Sequence, residues 1–127
     1  MSVLVLDSGG LSMLASGSPA ANALLRALRH EGIWPPLVPS VVLVESLSGA
    51  HRDAKTNRLL AACAVVTDLP IMLARRAAFL RAKARRGSAV DAIVVAYAEP
   101  GGTVLTSDRG DLEALAAYAS AVAIEAI

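Results

Sequence analysis

The chain has 127 residues, with 12 Lys and Arg against 11 Asp and Glu, a formal net charge of +1 at pH 7, and 55% apolar residues. So apolar a composition excludes a disordered chain, and the balanced total charge does not by itself favour an acidic or a basic partner. The single cysteine, Cys63, excludes an internal disulfide and a cysteine-based zinc site, and no apolar run approaches the roughly 18 residues of a membrane span.

The hydrophobic pattern, together with the positions of Gly, Pro and Ser, predicts short strands alternating with helices. In chain order, strands are predicted at 3–6, 37–38, 65–66, 103–106 and 121–127. Helices are predicted at 11–15, 19–31, 41–47, 51–62, 69–86, 89–98 and 108–117. Segment 41–47 is ambiguous because its β-branched residues favour a strand, but Ser40 is a good N-cap and we favour a helix. The alternation predicts one α/β domain over residues 1–127, with a central, mostly parallel sheet of about four to five strands and helices on both faces.

Four carboxylates stand out because of what surrounds them. Asp7 directly follows the first predicted strand, and Asp108 follows the fourth after one residue. Glu45 and Asp91 are each the only charge inside an apolar segment. Parallel strands end at one edge of a sheet, so the first two acids can meet there, and flanking helices can bring the others. Oxygen ligands suit a hard cation such as Mg²⁺ or Mn²⁺, which favours a metal site for phosphoryl chemistry.

Purely structural roles are equally open to three of these acids. Asp7 could cap a helix that starts at Gly9 or Gly10, and Asp91 lies three residues after Ser88, which is capping-box spacing. Asp108 could be a plain N-cap. Asp111, three residues further on, could be a first-turn acid favoured by the helix dipole.

Glu45 has no such alternative in its own segment. A carboxylate in the middle of an aliphatic segment is costly to bury unless it is paired or bound to a metal, so we expect Glu45 to have such a partner. A salt bridge to a basic residue such as Arg52 is the structural alternative for this residue.

Four segments in this order resemble PIN-domain ribonucleases, most closely the VapC-type toxins of bacterial and archaeal toxin–antitoxin operons. They are residues 5–8 (VLDS), 44–47 (VESL), 91–96 (DAIVVA) and 106–112 (TSDRGDL). The resemblance implies a PIN-like three-layer fold and a nuclease that cleaves RNA phosphodiesters with a metal-activated water, leaving 5′-phosphate and 3′-hydroxyl ends. Two departures are mild: Gly9 and Gly10 are expected to loosen the turn after Asp7, and Leu112 stands where Phe is frequent.

The resemblance also implies roles for individual residues. An acidic quartet would hold one or two Mg²⁺ or Mn²⁺ ions, namely Asp7, Glu45, Asp91 and Asp108. Asp111 would be a fifth, peripheral acid able to hold a second metal through water. Ser8 and Thr106 match hydroxyl positions that orient acids or water in the family.

Half of the basic residues lie in one short segment, and no acid falls between Asp68 and Asp91. The segment contains Arg75, Arg76, Arg81, Lys83, Arg85 and Arg86. A charge run is commonly a solvated helix face, but an uncompensated one also favours binding to phosphates. We therefore expect this segment to bind RNA and to lead it towards Asp91.

The resemblance thus implies an endoribonuclease toxin that is held inactive by a cognate antitoxin, as a homodimer or a toxin–antitoxin hetero-oligomer. The hydrophobic pattern predicts a cytoplasmic protein with no membrane association. The antitoxin's tail would lie across the acidic groove. One alternative is a non-catalytic PIN-like module that binds RNA or protein. A weaker alternative is a phosphoacceptor or phosphatase domain built on Asp7. Such a domain would need a phosphate-binding lysine near the late strand, and this sequence has none there.

Overall fold

The structure, a computed structural model, describes residues 2–127. Within these residues, five strands form one sheet: β1 (Leu4–Leu6), β2 (Leu37–Pro39), β3 (Ala64–Val66), β4 (Thr103–Thr106) and β5 (Ala123–Ala126). Every pair is parallel, and the strand order is β3-β2-β1-β4-β5. The predicted α/β fold with a parallel sheet of four to five strands is confirmed.

Seven α-helices connect the strands in the described part of the chain. They are α1 (Ser8–Ala15), α2 (Pro19–His30), α3 (Val42–Ser46), α4 (Ala54–Leu60), α5 (Ile71–Ala84), α6 (Ala89–Ala98) and α7 (Gly110–Ala116). A 3₁₀ turn at His51–Asp53 precedes α4. The ambiguous segment is therefore helical, as we favoured. None of the helices in residues 2–127 has the length and apolar character needed to cross a bilayer.

The helices form two layers, one on each face of the sheet. Helix α1 packs against α2, α3 and α4, whereas α5, α6 and α7 pack against one another. From β1 the chain adds β2 and β3 on one side of β1, and it then returns to add β4 and β5 on the opposite side. Because crossovers between parallel strands are right-handed, a change of direction places the connecting helices on the opposite face of the sheet. The direction reverses between β1 and β4, and the carboxyl ends of strands at such a reversal are where α/β sheets bind ligands.

The core lies between the sheet and these two layers. Strand β1 is buried along its whole length, as expected for a parallel strand covered on both faces. Helix α6 carries five buried apolar residues, namely Ala92, Val94, Val95, Ala96 and Ala98, because it packs against β1, β2 and β4 as well as α5 and α7. The half-buried Cys63 packs at the edge of the core, and burial raises the pKa of its thiol to about 11. This thiol is therefore not a nucleophile at neutral pH.

Two helix boundaries differ from the prediction in ways that matter for the site. Helix α1 begins at Ser8 rather than at residue 11, because the Asp7 side chain accepts a hydrogen bond from Gly10 N and caps it. Helix α7 begins at Gly110 rather than at residue 108, so Asp108 lies in the loop that follows β4.

Candidate active site

Asp7 is the buried centre of a group of polar side chains at the carboxyl ends of β1 and β4. Its side chain is 8% exposed, with Oδ1 accepting a hydrogen bond from Gly10 N at 2.7 Å. The hydroxyl of Thr106, which is also buried, donates to Oδ2 at 2.6 Å. The pairing of β1 with β4 places these two side chains together although they are far apart in the sequence. Thr106 therefore holds the acid in one orientation.

Burial raises the pKa of the Asp7 carboxyl from its ordinary value. The hydrogen bonds from Thr106 and Gly10 lower this pKa, and the charges of Asp91 and Asp108 raise it, with a raised pKa as the net result. Nearby negative charge is thus part of the Asp7 environment, and a cation placed there would favour its ionised form.

Asp91 belongs to the first turn of α6 and forms a capping box with Ser88. Its N–H donates to Ser88 Oγ at 3.0 Å, and one of its carboxylate oxygens accepts from Ser88 N at 3.2 Å. The capping role considered from sequence is therefore present. The same carboxylate lines a cavity together with Asp7, so the structural role does not remove Asp91 from the site.

Asp108 is held in the loop after β4. Its N–H donates to Thr106 Oγ1 at 3.1 Å, and its Oδ1 accepts from Gly110 N at 3.2 Å. Thr106 consequently connects the two acids that follow β1 and β4. Asp111, in the first turn of α7, is ion-paired with Arg86, whose Nε lies 3.0 Å from Asp111 Oδ1.

Glu45 is exposed, so the argument that it must be compensated because it is buried was wrong. The reason is that α3 is short and buries only Val42, and the neighbouring Val44 is 82% exposed. The considered salt bridge to Arg52 is not formed; Arg52 Nε instead donates to Ser48 Oγ at 3.0 Å. Helix α3 packs against α1, which begins at the end of β1, and this packing brings Glu45 to the same cavity as Asp7.

These acids surround one cavity of about 400 Å³. It is lined by Asp7, Ser8, Gly9, Glu45, Ser88, Asp91, Thr106, Ser107, Asp108, Asp111 and Leu112. All five predicted acids and both predicted hydroxyl residues are therefore brought together. Of the five carboxylates, Asp111 is the one with an ion-pair partner in residues 2–127.

The donor set fits a hard divalent cation, because it consists of carboxylate oxygens whose mutual repulsion such an ion would relieve. In the side-chain positions seen, however, no three His, Cys, Asp or Glu residues in the described chain are arranged as ligands of one ion. The fit therefore rests on the chemistry of the carboxylates and not on a completed ligand shell.

The family model for the PIN domain matches residues 4–118 of this chain. The chain belongs to the PIN domain family. Members of this family are generally nucleases. The matched range includes every acid of the cavity. No curated protein sequence is significantly similar to the chain.

Several solved structures share the fold of this PIN domain. A toxin–antitoxin complex from Klebsiella pneumoniae is 22% identical, with a TM-score of 0.68, and the match covers 98% of this chain and 99% of that one. VapBC2 from Rickettsia felis, bound to a DNA fragment from its promoter, is 13% identical, with a TM-score of 0.71 and 98% of both chains covered. FitAcB from Neisseria gonorrhoeae is 21% identical, with a TM-score of 0.62 and 96% of both chains covered.

Gly9 and Gly10 of this PIN domain do not loosen the turn after Asp7, contrary to expectation. Both lie in the first turn of α1, where a Cβ on Gly9 would overlap Ser107 Oγ and a Cβ on Gly10 would overlap the carbonyl of Leu105. Glycine at both positions therefore lets α1 approach the end of β4 closely. The start of α1 can therefore pack directly on the loop after β4, beside the Asp7–Thr106 hydrogen bond.

Within residues 2–127, two of the six basic residues of the segment form ion pairs with carboxylates, and the other four do not. Arg76 makes a two-point ion pair with Glu99, with Nε and Nη2 each 2.8 Å from a carboxylate oxygen. Arg86 is paired with Asp111. Both acidic partners lie later in the sequence than the basic segment, so the sequence of the segment alone shows no carboxylates that balance its positive charge. The other four basic side chains of the segment are exposed, namely Arg75, Arg81, Lys83 and Arg85.

Sequence reasoning missed several residues of the site. Ser88 was considered only as a cap and Gly9 only as a turn residue, while Ser107 was not considered, although all three line the cavity. Asp53 was also missed. It is 7% exposed and accepts hydrogen bonds from Ser48 N at 2.8 Å and Gly49 N at 2.6 Å, which holds the loop after α3. No local pattern signals this role, because Asp53 accepts from residues four and five positions before it in the chain.

Proposed function

We propose that this PIN domain is a divalent-metal-dependent endoribonuclease and the toxin of a toxin–antitoxin pair. The observation that carries the proposal is the convergence of five carboxylates on one cavity at the reversal point of the sheet, four of them without a cationic partner in the described residues. Like charges that line one cavity without partners repel one another, and titratable groups gathered in a cleft are a mark of functional sites.

Asp7, Glu45, Asp91 and Asp108 would hold one or two Mg²⁺ or Mn²⁺ ions. A bound ion of this kind lowers the pKa of water and neutralises charge on a phosphate undergoing attack. In the overall reaction, water adds to phosphorus, the bond to the 3′ oxygen breaks, and the products carry 5′-phosphate and 3′-hydroxyl ends.

The chain's own residues prepare the site for this reaction. The Thr106 hydroxyl donates to the Asp7 carboxylate and orients it, and the same oxygen accepts from the backbone N–H of Asp108 and holds that residue. Ser88 fixes the Asp91 carboxylate, while Ser8 and Ser107 add hydroxyl groups to the cavity wall. The hydrogen bonds to Asp7 partly offset the effect of burial on its pKa, and a bound cation would favour the ionised form that acts as a ligand.

The exposed cations of α5 and of the turn after it would follow the RNA backbone towards the cavity. They are Arg75, Arg81, Lys83, Arg85 and Arg86. Arg76 is not part of this set, because its guanidinium is engaged by Glu99. Aromatic side chains that could stack on bases are few, with one Phe, one Trp and two Tyr in the chain. Recognition in this region would therefore act mainly on phosphates.

The partner would be an antitoxin protein that covers the acid cavity. The support is that structural neighbours of the chain are described as a toxin–antitoxin complex and as VapBC2. We further propose that the chain acts in the cytoplasm as a single catalytic domain, in a homodimer or a toxin–antitoxin hetero-oligomer.

Cleavage of a mixed cellular RNA pool tests the proposal. Purified protein is incubated with Mg²⁺ or Mn²⁺, with EDTA, or as the Asp7→Asn variant, and the 5′ ends of the products are mapped. Discrete cuts that need the metal and are absent from the variant support the nuclease. Cuts that persist in pure Asp7→Asn and Asp91→Asn contradict it, and salt-sensitive RNA binding without any cut would favour the non-catalytic module.

A further inference from the structure

We infer that Arg86 binds a backbone phosphate of the RNA beside the acid cavity, and that Asp111 is the residue that positions Arg86. This inference rests on the proposed function and assigns two of its residues. Arg86 does not line the cavity itself, but it contacts a residue that does. Among the described residues, it is the one cation joined by an ion pair to a cavity-lining carboxylate.

The backbone around Arg86 is fixed against α7. Arg85 has φ +54 and Gly87 has φ +89, so the chain turns sharply on both sides of Arg86. A Cβ on Gly87 would lie 2.8 Å from Leu115 Cδ1, which shows how closely the turn packs on α7. Arg81 Nε donates to the carbonyl of Gly87 at 3.2 Å and secures the turn from α5.

The Arg86 guanidinium keeps unused donors next to the acids. Only its Nε is hydrogen-bonded to Asp111, and the side chain is 60% exposed. At Gly110, a Cβ would lie 3.7 Å from Arg86 Nη2 and 3.4 Å from Asp108 Oδ1, so the guanidinium and the Asp108 carboxylate both border this glycine. The two terminal nitrogens of arginine match a pair of phosphate oxygens, and a partner on Nε sets the direction in which they point.

This arrangement gives Asp111 a different role from the four unpaired acids. Its Oδ1 already accepts a charge-assisted hydrogen bond, whereas Asp7, Glu45, Asp91 and Asp108 have no cationic partner in residues 2–127. The proposal therefore gives Asp111 a positioning role for Arg86, in place of the peripheral metal role that the family resemblance implies. A phosphate entering among four carboxylates needs such a cation to offset the repulsion.

Binding of a short fluorescein-labelled single-stranded RNA tests the role of Arg86. Fluorescence anisotropy is measured with Ca²⁺ in place of Mn²⁺, for wild type, Arg86→Ala, Arg86→Lys and the matched control Arg26→Ala, an exposed arginine of α2 outside the cavity. We expect both Arg86 variants to raise the dissociation constant about tenfold, since lysine keeps the charge but cannot bind two phosphate oxygens at once as a guanidinium does. The control variant should bind the RNA as wild type does. Arg86→Lys or Arg86→Ala binding like wild type overturns the inference, as does wild type that does not bind.

Mn²⁺ binding tests the role of Asp111 separately. Electron paramagnetic resonance titration of Asp111→Asn should give the wild-type Mn²⁺ affinity, and adding this change to Arg86→Ala should cause no further loss of RNA affinity. A loss of Mn²⁺ affinity of about tenfold or more in Asp111→Asn shows a metal ligand and overturns the positioning role. If wild type binds RNA through Arg86 but never cuts it, the proposed function fails while this inference stands. If wild type cuts RNA and Arg86→Ala binds it unchanged, the inference alone fails.

Discussion

Asp7 combines an energetic cost with a structural task. Its burial and the charges of Asp91 and Asp108 disfavour its ionised form, while the hydrogen bonds from Thr106 and Gly10 favour it. The carboxylate caps α1 with one oxygen and is held by Thr106 through the other. Replacing Asp7 with a neutral residue should therefore raise stability, because the cost of the buried charge is removed, and at the same time abolish the proposed role in metal binding.

The Asp7→Asn variant should be more stable than wild type at pH 7 in EDTA. Because the folded-state pKa of Asp7 is raised, wild type is stabilised by protonation at low pH and loses this contribution as pH rises through the folded pKa. Asparagine has no such loss, and its amide can donate to the Thr106 hydroxyl, which can turn to donate to the Asp108 carbonyl 3.0 Å away. Thermal unfolding between pH 4 and 8 measures the difference, which should shrink in acid. A variant less stable than wild type at pH 7 contradicts this account of Asp7.

Thr106→Val should lower the rate of RNA cleavage by about 10- to 100-fold at saturating Mn²⁺, the range typical of residues that orient metal ligands. Valine keeps the shape but cannot donate to Asp7 or accept from Asp108 N–H. Thr106→Ser is the matched control and should retain most of the activity. Equal loss in both variants would show that packing of the methyl group, and not the hydroxyl, is what matters.

At the residue scale, sequence reasoning identified the acids but set their two roles against each other. Asp7 and Asp91 were treated as either helix caps or site residues, and each is both. For Asp7 the two roles are compatible because α1 starts at the carboxyl end of β1, which places the capping side chain at the edge where ligands bind. For Asp91 they are compatible because the capped first turn of α6 itself lines the cavity. The Arg86–Asp111 pair was not foreseeable, since it depends on how the turn before α6 packs on α7.

At the element scale, α3 and the loop after it place Glu45, and Asp53 holds that loop. Burial raises the pKa of Asp53, but the hydrogen bonds from Ser48, Gly49 and Ala50 together lower it by a larger amount. The pKa of this carboxyl is therefore below its ordinary value. The contribution of this carboxylate to stability is therefore present above its unfolded pKa and lost as pH falls through the folded one.

Asp53→Asn should lower the melting temperature at neutral pH, because one amide oxygen cannot replace two carboxylate oxygens that accept from Ser48 and Gly49. The difference from wild type should narrow in acid. The matched control is Asp68→Asn, which removes an exposed carboxylate. Equal melting temperatures of Asp53→Asn and wild type at pH 7 would show that the loop does not depend on this acid.

Arg76→Ala should lower stability without changing RNA affinity. The Arg76 side chain joins α5 to Glu99 at the end of α6, and Glu99 also accepts from Ser120 N at 2.7 Å before β5. Arg75→Ala, its neighbour on α5, should do the opposite: weaken RNA binding and leave the melting temperature unchanged. The measurements are thermal unfolding and anisotropy. Weaker RNA binding by Arg76→Ala would return this residue to the RNA-binding set.

Element boundaries were less predictable than element types. The alternation of apolar runs with capped helical segments predicts the parallel sheet, but the start of α7 depends on the loop that Thr106 and Asp108 form after β4. The exposure of Glu45 depends on how short α3 is and on which of its sides meets α1. Both are tertiary effects that local sequence patterns do not contain.

At the scale of the whole molecule, the topology assembles the site. Strands β1 and β4 are neighbours at the reversal of the sheet, while α3 from one layer and α6 and α7 from the other supply the remaining acids. Residues from all three thirds of the chain thus meet in one cavity. The order of the motifs in the sequence predicts this meeting only through the resemblance to PIN domains, since spacing alone does not give the strand order.

Mn²⁺ binding to the wild-type protein tests most directly whether the acid cavity is a metal centre. Titration followed by electron paramagnetic resonance should show one or two ions per chain, and the affinity should fall about tenfold or more in Asp7→Asn but not in Asp68→Asn. This result would establish that the converging carboxylates act as ligands. Wild type that binds no Mn²⁺, or an Asp7→Asn variant that binds it as wild type does, would contradict the account.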